Sequence, residues 1–491
     1  MRSTRMRYLR ITRTLSPLQN DGFRLEIYNI DHDKGEEGMD FKGKKAVIIG
    51  AGKSGIAAAG LLKGQGADIV LYDDKKQDRD ELLKKLGTDF KGKVEFEKLS
   101  DESRENIDYL ILSPGVPIDA PLVLELKKGN PKVIGEVELA YYFTKGKIVA
   151  VTGTNGKTTT TALTGYLLGK KYENTLIGGN IGIPYTEICL KSTDDGVTVA
   201  EMSSFQLDTT DTFHPYVSMI LNITPDHLDR HHTMENYINA KLNCTKNQTE
   251  SELCILNYED EVLREAAKNI KAKICYFSSK TELENGYVYK EGVIYEVKDG
   301  EPKKVIDVSE MKLIGRHNYE NAMAAIAAAR FMGVDKELIR EGLREFNPVE
   351  HRIEYVETIN GVKYYNDSKG TNPDASIQAV RAMTGPTYLI GGGYDKGSTY
   401  DEWIESFDGK IKKLLLMGQT REKIAECAKQ HGFTDYMFVE SMEEAVDYCV
   451  KNAVEGDTVL LSPCCASWGM FKNYEERGRI FKDLVRDHLS K

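Results

Sequence analysis

The sequence predicts an α/β protein made of three successive domains, each built on a largely parallel sheet. Three observations lead there. The chain has 491 residues, and at about 150 residues per domain that makes roughly three. Short β-rich runs alternate with helical patterns along most of its length, as parallel strands need crossover helices. The alternation pauses at FNPVEHR (346–352), a linker-like stretch, and then restarts. The resulting division is 39–135, 136–348 and 349–491, preceded by an extension over 1–38.

The extension carries Arg2, Arg5, Arg7, Arg10 and Arg13, with no acid before residue 21. It lacks the apolar core of a secretory signal. It reads as a disordered or artefactual extension, because Met39 opens MDFKGKKAVIIG, where a first strand would begin; a basic targeting segment is the competing reading. Strands are then expected at 44–50, 67–73 and 107–115, and again at 147–153, 197–204, 217–224 and 252–257. Over 276–313, NG, EG and DG turns between Tyr/Val-rich runs predict hairpins. HNYENAMAAIAAARFMG (317–333) predicts an apolar helix. VKYYNDS, TYLIGGG, KKLLLMG and TVLLSP supply the strands of the third unit.

Composition narrows the function. With 66 basic and 76 acidic residues the net charge is −10, which disfavours a nucleic-acid-coating protein. No run approaches the roughly 18 apolar residues of a membrane span. Eight cysteines, with no CxxC spacing and Cys464 adjacent to Cys465, read as reduced thiols of a cytoplasmic protein.

Two glycine loops carry the chemistry. Gly50-Ala51-Gly52-Lys53-Ser54-Gly55 matches GxGxxG between strand and helix, where backbone and helix N-terminus suit a pyrophosphate. Asp73 follows at a strand end, where such folds bind a ribose hydroxyl. Glycines serving only helix–strand packing are the competing reading. Gly153, Thr154, Asn155, Gly156, Lys157, Thr158 and Thr159 form a second loop after a strand. Its amides can wrap triphosphate oxygens, Lys157 supplies charge, and the Thr158 hydroxyl can ligate Mg²⁺. The spacing is GxxGKT, a shortened P-loop. His227 and His231 have the spacing of two helical zinc ligands, but no HExxH pattern and no third ligand accompany them. His231 and His232 are therefore expected to be solvated loop residues.

TGTNGKTT (152–159) resembles the ATP loop of the Mur ligases and the related folylpolyglutamate synthetases. The resemblance runs from about Met39 to the C-terminus, through GGNIG (178–182), EMSSFQL (201–207), NITPDHLDRH (222–231), AKLN (240–243), GRHNYENAMAA (315–325), EHR (350–352), NDSKGTNPDAS (366–376) and LSPCCASWGMFKNYEERG (461–478). A first domain that binds UDP argues against folylpolyglutamate synthetase. The third-domain motifs resemble the family members that add D-glutamate to UDP-N-acetylmuramoyl-L-alanine, in peptidoglycan precursor synthesis.

The resemblance implies a Rossmann-like UDP-binding domain, a central P-loop-type ATPase domain and a C-terminal Rossmann-like domain. It implies ATP, two Mg²⁺ ions and CO₂ bound as a lysine carbamate, in a cytoplasmic monomer with no nucleic-acid partner and no membrane insertion. Thr158 and Glu201 would hold one Mg²⁺, with His227 and a carbamylated Lys241 at the second. Asn180, Lys157 and Lys369 would act at the transferred phosphoryl. Asn318, Arg352 and Asp367 would hold ATP. Gly52, Lys53, Ser54, Asp73, Ser113, Pro114 and Gly115 would hold the UDP-sugar. Thr371, Lys396, Ser467 and Tyr474 would hold D-glutamate, with Tyr474 and Trp468 departing from the expected pattern. Because these groups come from different domains, the third domain is expected to rotate onto the second before they meet. The alternatives are another Mur ligase step with a different amino acid, a nicotinamide-dependent oxidoreductase using GAGKSG, or a nonenzymatic nucleotide-binding regulator.

Overall fold

In the computed structural model, which describes residues 40–180 and 182–489, three sheets follow one another along the chain. The reading of residues 1–38 lies outside the described residues. The first sheet contains β1 (Lys45–Ile49), β2 (Asp68–Asp73), β3 (Lys93–Phe96), β4 (Tyr109–Leu112) and β5 (Lys132–Gly135). It is wholly parallel, in the order β3-β2-β1-β4-β5. The order reverses at β1, so the crevice beyond its C-terminal end, where the 50–55 loop lies, is the natural ligand position.

The second sheet contains β6 (Lys147–Thr152), β7 (Thr175–Gly179), β8 (Val197–Glu201), β9 (Val217–Ile220), β10 (Leu253–Asn257), β11 (Lys273–Ser278), β12 (Gly286–Lys290), β13 (Val293–Lys298) and β14 (Glu301–Asp307). Its order is β14-β13-β12-β11-β10-β9-β6-β8-β7. Only β12/β13 and β13/β14 are antiparallel, as their tight turns require. β6 lies between β8 and β9. The 153–156 loop therefore also emerges at a switch point. The helix that follows it, Lys157–Gly169, packs on helix Arg316–Phe331, whose run Ala322–Ala329 is buried throughout. Small side chains there let the two helices approach closely over the sheet.

The third sheet contains β15 (Glu354–Ile359), β16 (Val362–Asn366), β17 (Thr387–Gly392), β18 (Ile411–Met417), β19 (Tyr436–Phe438) and β20 (Thr458–Leu461), in the order β15-β16-β20-β17-β18-β19. β20 inserts between β16 and β17. Segments 366–376, 391–397 and 461–468 thus leave neighbouring strands at one sheet edge.

The α/β reading with three sheet domains holds. Its expected strands all appear, trimmed at their ends. The reading missed β3, β5, β7, β15 and β19. All five are edge strands; edge strands need little apolar alternation because one side faces no partner. All eight cysteines are free and most are buried.

Candidate active site

The second glycine loop is held in an anion-cradling shape by its own neighbours. Gly153 (φ 145°) and Gly156 (φ 87°) adopt backbone conformations that other residues rarely reach. A Cβ on Gly156 would lie 2.4 Å from Asn321 Oδ1. Thr154 N–H donates to Asn222 O (2.9 Å) and Asn155 N–H to Asn222 Oδ1 (2.8 Å). The Thr154 hydroxyl meets Tyr237 OH at 2.9 Å. Thr158 then faces a cleft of about 880 Å³, and Thr159 faces a second of about 790 Å³. The loop is the partition between the two.

Two lysines converge beneath it on a single carbonyl. Lys157 Nζ donates to Gly153 O (2.9 Å) and Thr154 O (2.7 Å). Lys241 Nζ donates to the same Gly153 O at 2.7 Å. Lys241 is buried, and burial holds its pKa well below the usual lysine range; the Lys157 charge pushes the same way. Burial also lowers Lys157.

On the side of the first cleft, Glu201 ends β8 and is buried. Its Oε1 accepts from Asn180 Nδ2 (2.9 Å), while Oε2 has no hydrogen-bond partner among the described residues. A buried carboxylate oxygen without a donor is costly. Together with the Thr158 hydroxyl it suits a hard divalent cation. Lys369 Nζ lies 3.3 Å from Thr158 Oγ1, and burial, with Arg352 nearby, lowers its pKa to about 8.

His227 has φ 54° and is half exposed, with Nε2 3.6 Å from Asp226 Oδ2 and its ring against Phe205. One expectation fails here: His231 is not a solvated loop residue. It is buried in helix Leu228–His231, stacked on Phe205, and its Nε2 meets Ser204 Oγ at 2.9 Å. His232 is exposed and pairs with Asp119 at 3.0 Å. Just before His231, the Arg230 guanidinium donates to the carbonyls of Pro114, Gly115 and Val116. That contact fastens the first domain's Ser-Pro-Gly loop to the central domain.

Gly50, Gly52, Lys53, Ser54, Asp73, Ser113, Pro114 and Gly115 line the first cleft with Thr158, Asn180, Lys369 and Tyr474. The two readings of the GAGKSG glycines divide by position. A Cβ on Gly55 would meet Gly50 O at 1.8 Å, so Gly55 serves packing, whereas Gly52 has open space around it. The Asp73 carboxylate accepts from Ala51 N–H (2.7 Å) and Lys75 N–H (3.0 Å), bracing the loop. Asn155, Gly156, Thr159, Asn318, Arg352 and Asp367 line the second cleft. Asn318 is pinned by Ile314 O and Asn321. Arg352 Nε is buried without a hydrogen-bond partner among the described residues. Burial pushes the Asp367 carboxyl up to about 7, although Ser462 Oγ donates to it at 2.7 Å.

Comparison with known proteins agrees with this geometry. Three family models match successive segments: "Mur ligase MurD-like, N-terminal domain" at 44–135, "Mur ligase middle domain" at 151–329 and "Mur ligase, glutamate ligase domain" at 351–465. A UDP-N-acetylmuramoylalanine--D-glutamate ligase of Lachnoclostridium phytofermentans is 56% identical over 448 residues, 91% of this chain and 99% of its own length. That of Lachnospira eligens is 52% identical over 91% and 100%.

The chain belongs to the Mur ligase family.

Solved Mur ligases share the fold at low identity. The UDP-N-acetylmuramate-alanine ligase of Thermotoga maritima superposes with a TM-score of 0.57 at 21% identity, covering 91% of this chain and 100% of its own. The MurF ligase of the same organism, in complex with ADP, gives 0.56 at 17%, covering 91% and 96%. Membership speaks against the nicotinamide-dependent alternative. Among the described residues no helix is long and apolar enough to cross a membrane.

Relative to the residues expected for a Mur ligase, the structure makes one addition and one correction. The addition is Asp374, in the first turn of helix Pro373–Ala382. Its carboxylate accepts from Thr224 Oγ1 (3.0 Å) and Asn155 Nδ2 (3.4 Å), tying the third domain to the ATP loop. The sequence signal was present in NPDAS, an Asn cap with proline at the first helical position. The correction concerns rotation. Of the third-domain residues expected to meet the loop only by rotation, Asp367 already lines a cleft beside it in this conformation, as do Arg352 and Lys369. Thr371, Lys396 and Ser467 line neither cleft. Lys396 instead sits over the exposed Trp468 ring at 5.2 Å, and the Tyr474 carbonyl is taken by Ser368 Oγ at 2.8 Å.

Proposed function

We propose that this enzyme joins D-glutamate to UDP-N-acetylmuramoyl-L-alanine at the expense of ATP, through an acyl phosphate, as a cytoplasmic monomer in peptidoglycan precursor synthesis. The observation that carries the reading is the partition: one phosphate loop with Thr158 on one cleft, Thr159 on the other, and a buried carboxylate oxygen of Glu201 left free beside it. On this reading the chain divides into 39–135, 136–348 and 349–491, and each cleft draws residues from more than one of these domains.

The UDP-sugar would occupy the first cleft, with Gly52, Lys53, Ser54 and Asp73 at its nucleotide and Ser113, Pro114 and Gly115 beside it. ATP would occupy the second, against Asn318, Arg352 and Asp367, with its triphosphate on residues 153–159. The substrate carboxylate attacks the γ-phosphorus and ADP departs with the electron pair. The D-glutamate amine then attacks the acyl carbon, and inorganic phosphate leaves with the acyl oxygen and takes up the proton. Asn180 and Lys369 would hold the transferred phosphoryl, and Lys157 would exchange its loop carbonyls for phosphate oxygens. Two Mg²⁺ ions, one on Thr158 and Glu201 and one on His227 and a carbamylated Lys241, would neutralise the charge that gathers on phosphoryl oxygens. Lys241 suits carbamylation because the amine must first be neutral, and its burial beside Lys157 favours that form. Thr371, Lys396, Ser467 and Tyr474 would close on the amino acid in a later step.

The test is incubation with UDP-N-acetylmuramoyl-L-alanine, ATP, Mg²⁺ and a panel of amino acids, with mass detection. D-glutamate product with stoichiometric ADP is expected. Product with a different amino acid, or ADP formed without any amide, would defeat the reading.

A further inference from the structure

On the third domain, among residues given no role above, two helices bring together four side chains of metal-ligating type. Helix Asp401–Glu405 presents Asp401 and Glu405, four residues apart. Helix Arg421–Gln430 presents Cys427, and its capping residue His431 lies four further on. One ligand atom from each of Asp401, Cys427 and His431 lies within 4.8 Å of the others. His431 Nε2 is 3.1 Å from Asp401 Oδ1, and Nδ1 is 3.6 Å from Glu405 Oε1. The backbones are fixed by packing: Trp403 and Ile404 on one helix, Ile424, Ala425 and Ala428 on the other, are buried in one core.

Charge bookkeeping singles this cluster out. A similar group at Glu350, His351 and Glu354 already has its cation, because Lys482 Nζ reaches both carboxylates at 2.5 and 3.0 Å. Among the described residues Asp401 and Glu405 form ion pairs only with His431. Two carboxylates, an imidazole and a half-buried thiol therefore converge with no lysine or arginine among them.

We propose that Asp401, Cys427 and His431 form a site for one borderline-soft divalent cation, Zn²⁺ or a congener, with Glu405 holding the second ring nitrogen of His431. Mixed O, S and N ligands are the zinc set, and three protein ligands leave the fourth tetrahedral position to water. Ligand atoms in such a site stand about 3.3–3.8 Å apart, within reach of small side-chain rotations from the observed cluster. A carboxylate on the distal imidazole nitrogen is the usual orienting partner. Binding transfers the Cys427 thiol proton to solvent and forms a metal–sulfur bond; no electron moves. The ion would clamp the two helices and shield the thiol.

The test uses the full chain, stripped with chelator and titrated with Co²⁺ alone. A thiolate-to-cobalt charge-transfer band saturating at one equivalent is expected. Oxygen-ligand Mg²⁺ sites cannot produce it. Cys427→Ser should abolish the band, Cys275→Ser should leave it intact, and Glu405→Gln should weaken Co²⁺ binding about ten- to a hundredfold. Ligase activity in Mg²⁺ serves as the check that each variant is folded. His431→Gln, which leaves the thiol in place, should also lose the band. Absence of any band in the wild-type chain, or a band that survives Cys427→Ser, would overturn the site.

Discussion

Replacing Lys241 by alanine is expected to remove most ligase activity, and a small carboxylic acid is expected to return part of it. Two amines share Gly153 O, at 2.7 and 2.9 Å. Two ammonium groups so close repel, and burial penalises both. Both effects lower the Lys241 pKa and so favour the neutral amine, the form that reacts with CO₂. If the carbamate supplies an anionic oxygen at the phosphoryl, its loss should cost about 3–4 kcal/mol, a hundred- to thousandfold in kcat, comparable to removing one transition-state donor. Acetate or propionate can fill the vacated space and supply oxygens, so Lys241→Ala should recover activity in a size-dependent way. Lys241→Arg should not respond, because guanidinium stays charged and fills the space. Lys241→Met supplies the folding control. The native pKa is depressed below 10.5, so between the two values the unfolded chain binds more protons and wild-type stability rises with pH. The methionine variant should melt no lower than wild type at pH 7 in CO₂-free buffer, and its advantage should shrink as pH rises toward 10.5. Initial rates with and without added acid, alongside thermal melts, make the measurement. Arginine outperforming carboxylate-supplemented alanine would refute the carbamate and leave Lys241 as a phosphate-binding cation.

Asp374→Ala cuts the two hydrogen bonds to Thr224 and Asn155; bonds to a charged group contribute about 1.5–3 kcal/mol each. We expect KM for ATP to rise about tenfold or more and the scattering radius of the ligand-free protein to grow; an unchanged radius would show that this contact does not hold the domains. Asp367 has a pKa raised from 3.8 to about 7 by burial. Its neutral form is favoured in the fold, so the stability it contributes is present below pH 3.8 and lost as pH rises through about 7. Asp367→Asn should therefore raise the melting temperature of the ligand-free protein more at pH 8 than at pH 5, while raising KM for ATP; equal shifts at both pH values would contradict the burial argument. Removing residues 1–38 should leave ligase activity intact, since the first strand begins at Lys45; loss of soluble, active protein would count against it.

Much of this protein was legible in one dimension. Alternation of strand and helix patterns, two glycine loops after strands, and local motifs such as NDSKG and GRHNYEN depend only on neighbours in sequence. They were enough for the inner strands of the three sheets, the loop residues 153–159 and part of the lining of both clefts. Periodicity is a local property, and so is the backbone freedom that Gly153 and Gly156 provide. The failures were residues whose role depends on distant partners. His231 looked solvated because its neighbours are polar, yet Phe205 and Ser204, which bury it, lie 26 and 27 positions away. Asp374 meets Asn155 across 219 positions, a pairing set by the docking of one domain on another. The depressed Lys241 pKa requires Lys157 and a desolvated pocket, neither of which a helix pattern records. Burial, and with it charge state, is decided by what the tertiary fold stacks on a side chain; sequence order alone determined which chemical groups were present and which strand ends would carry them.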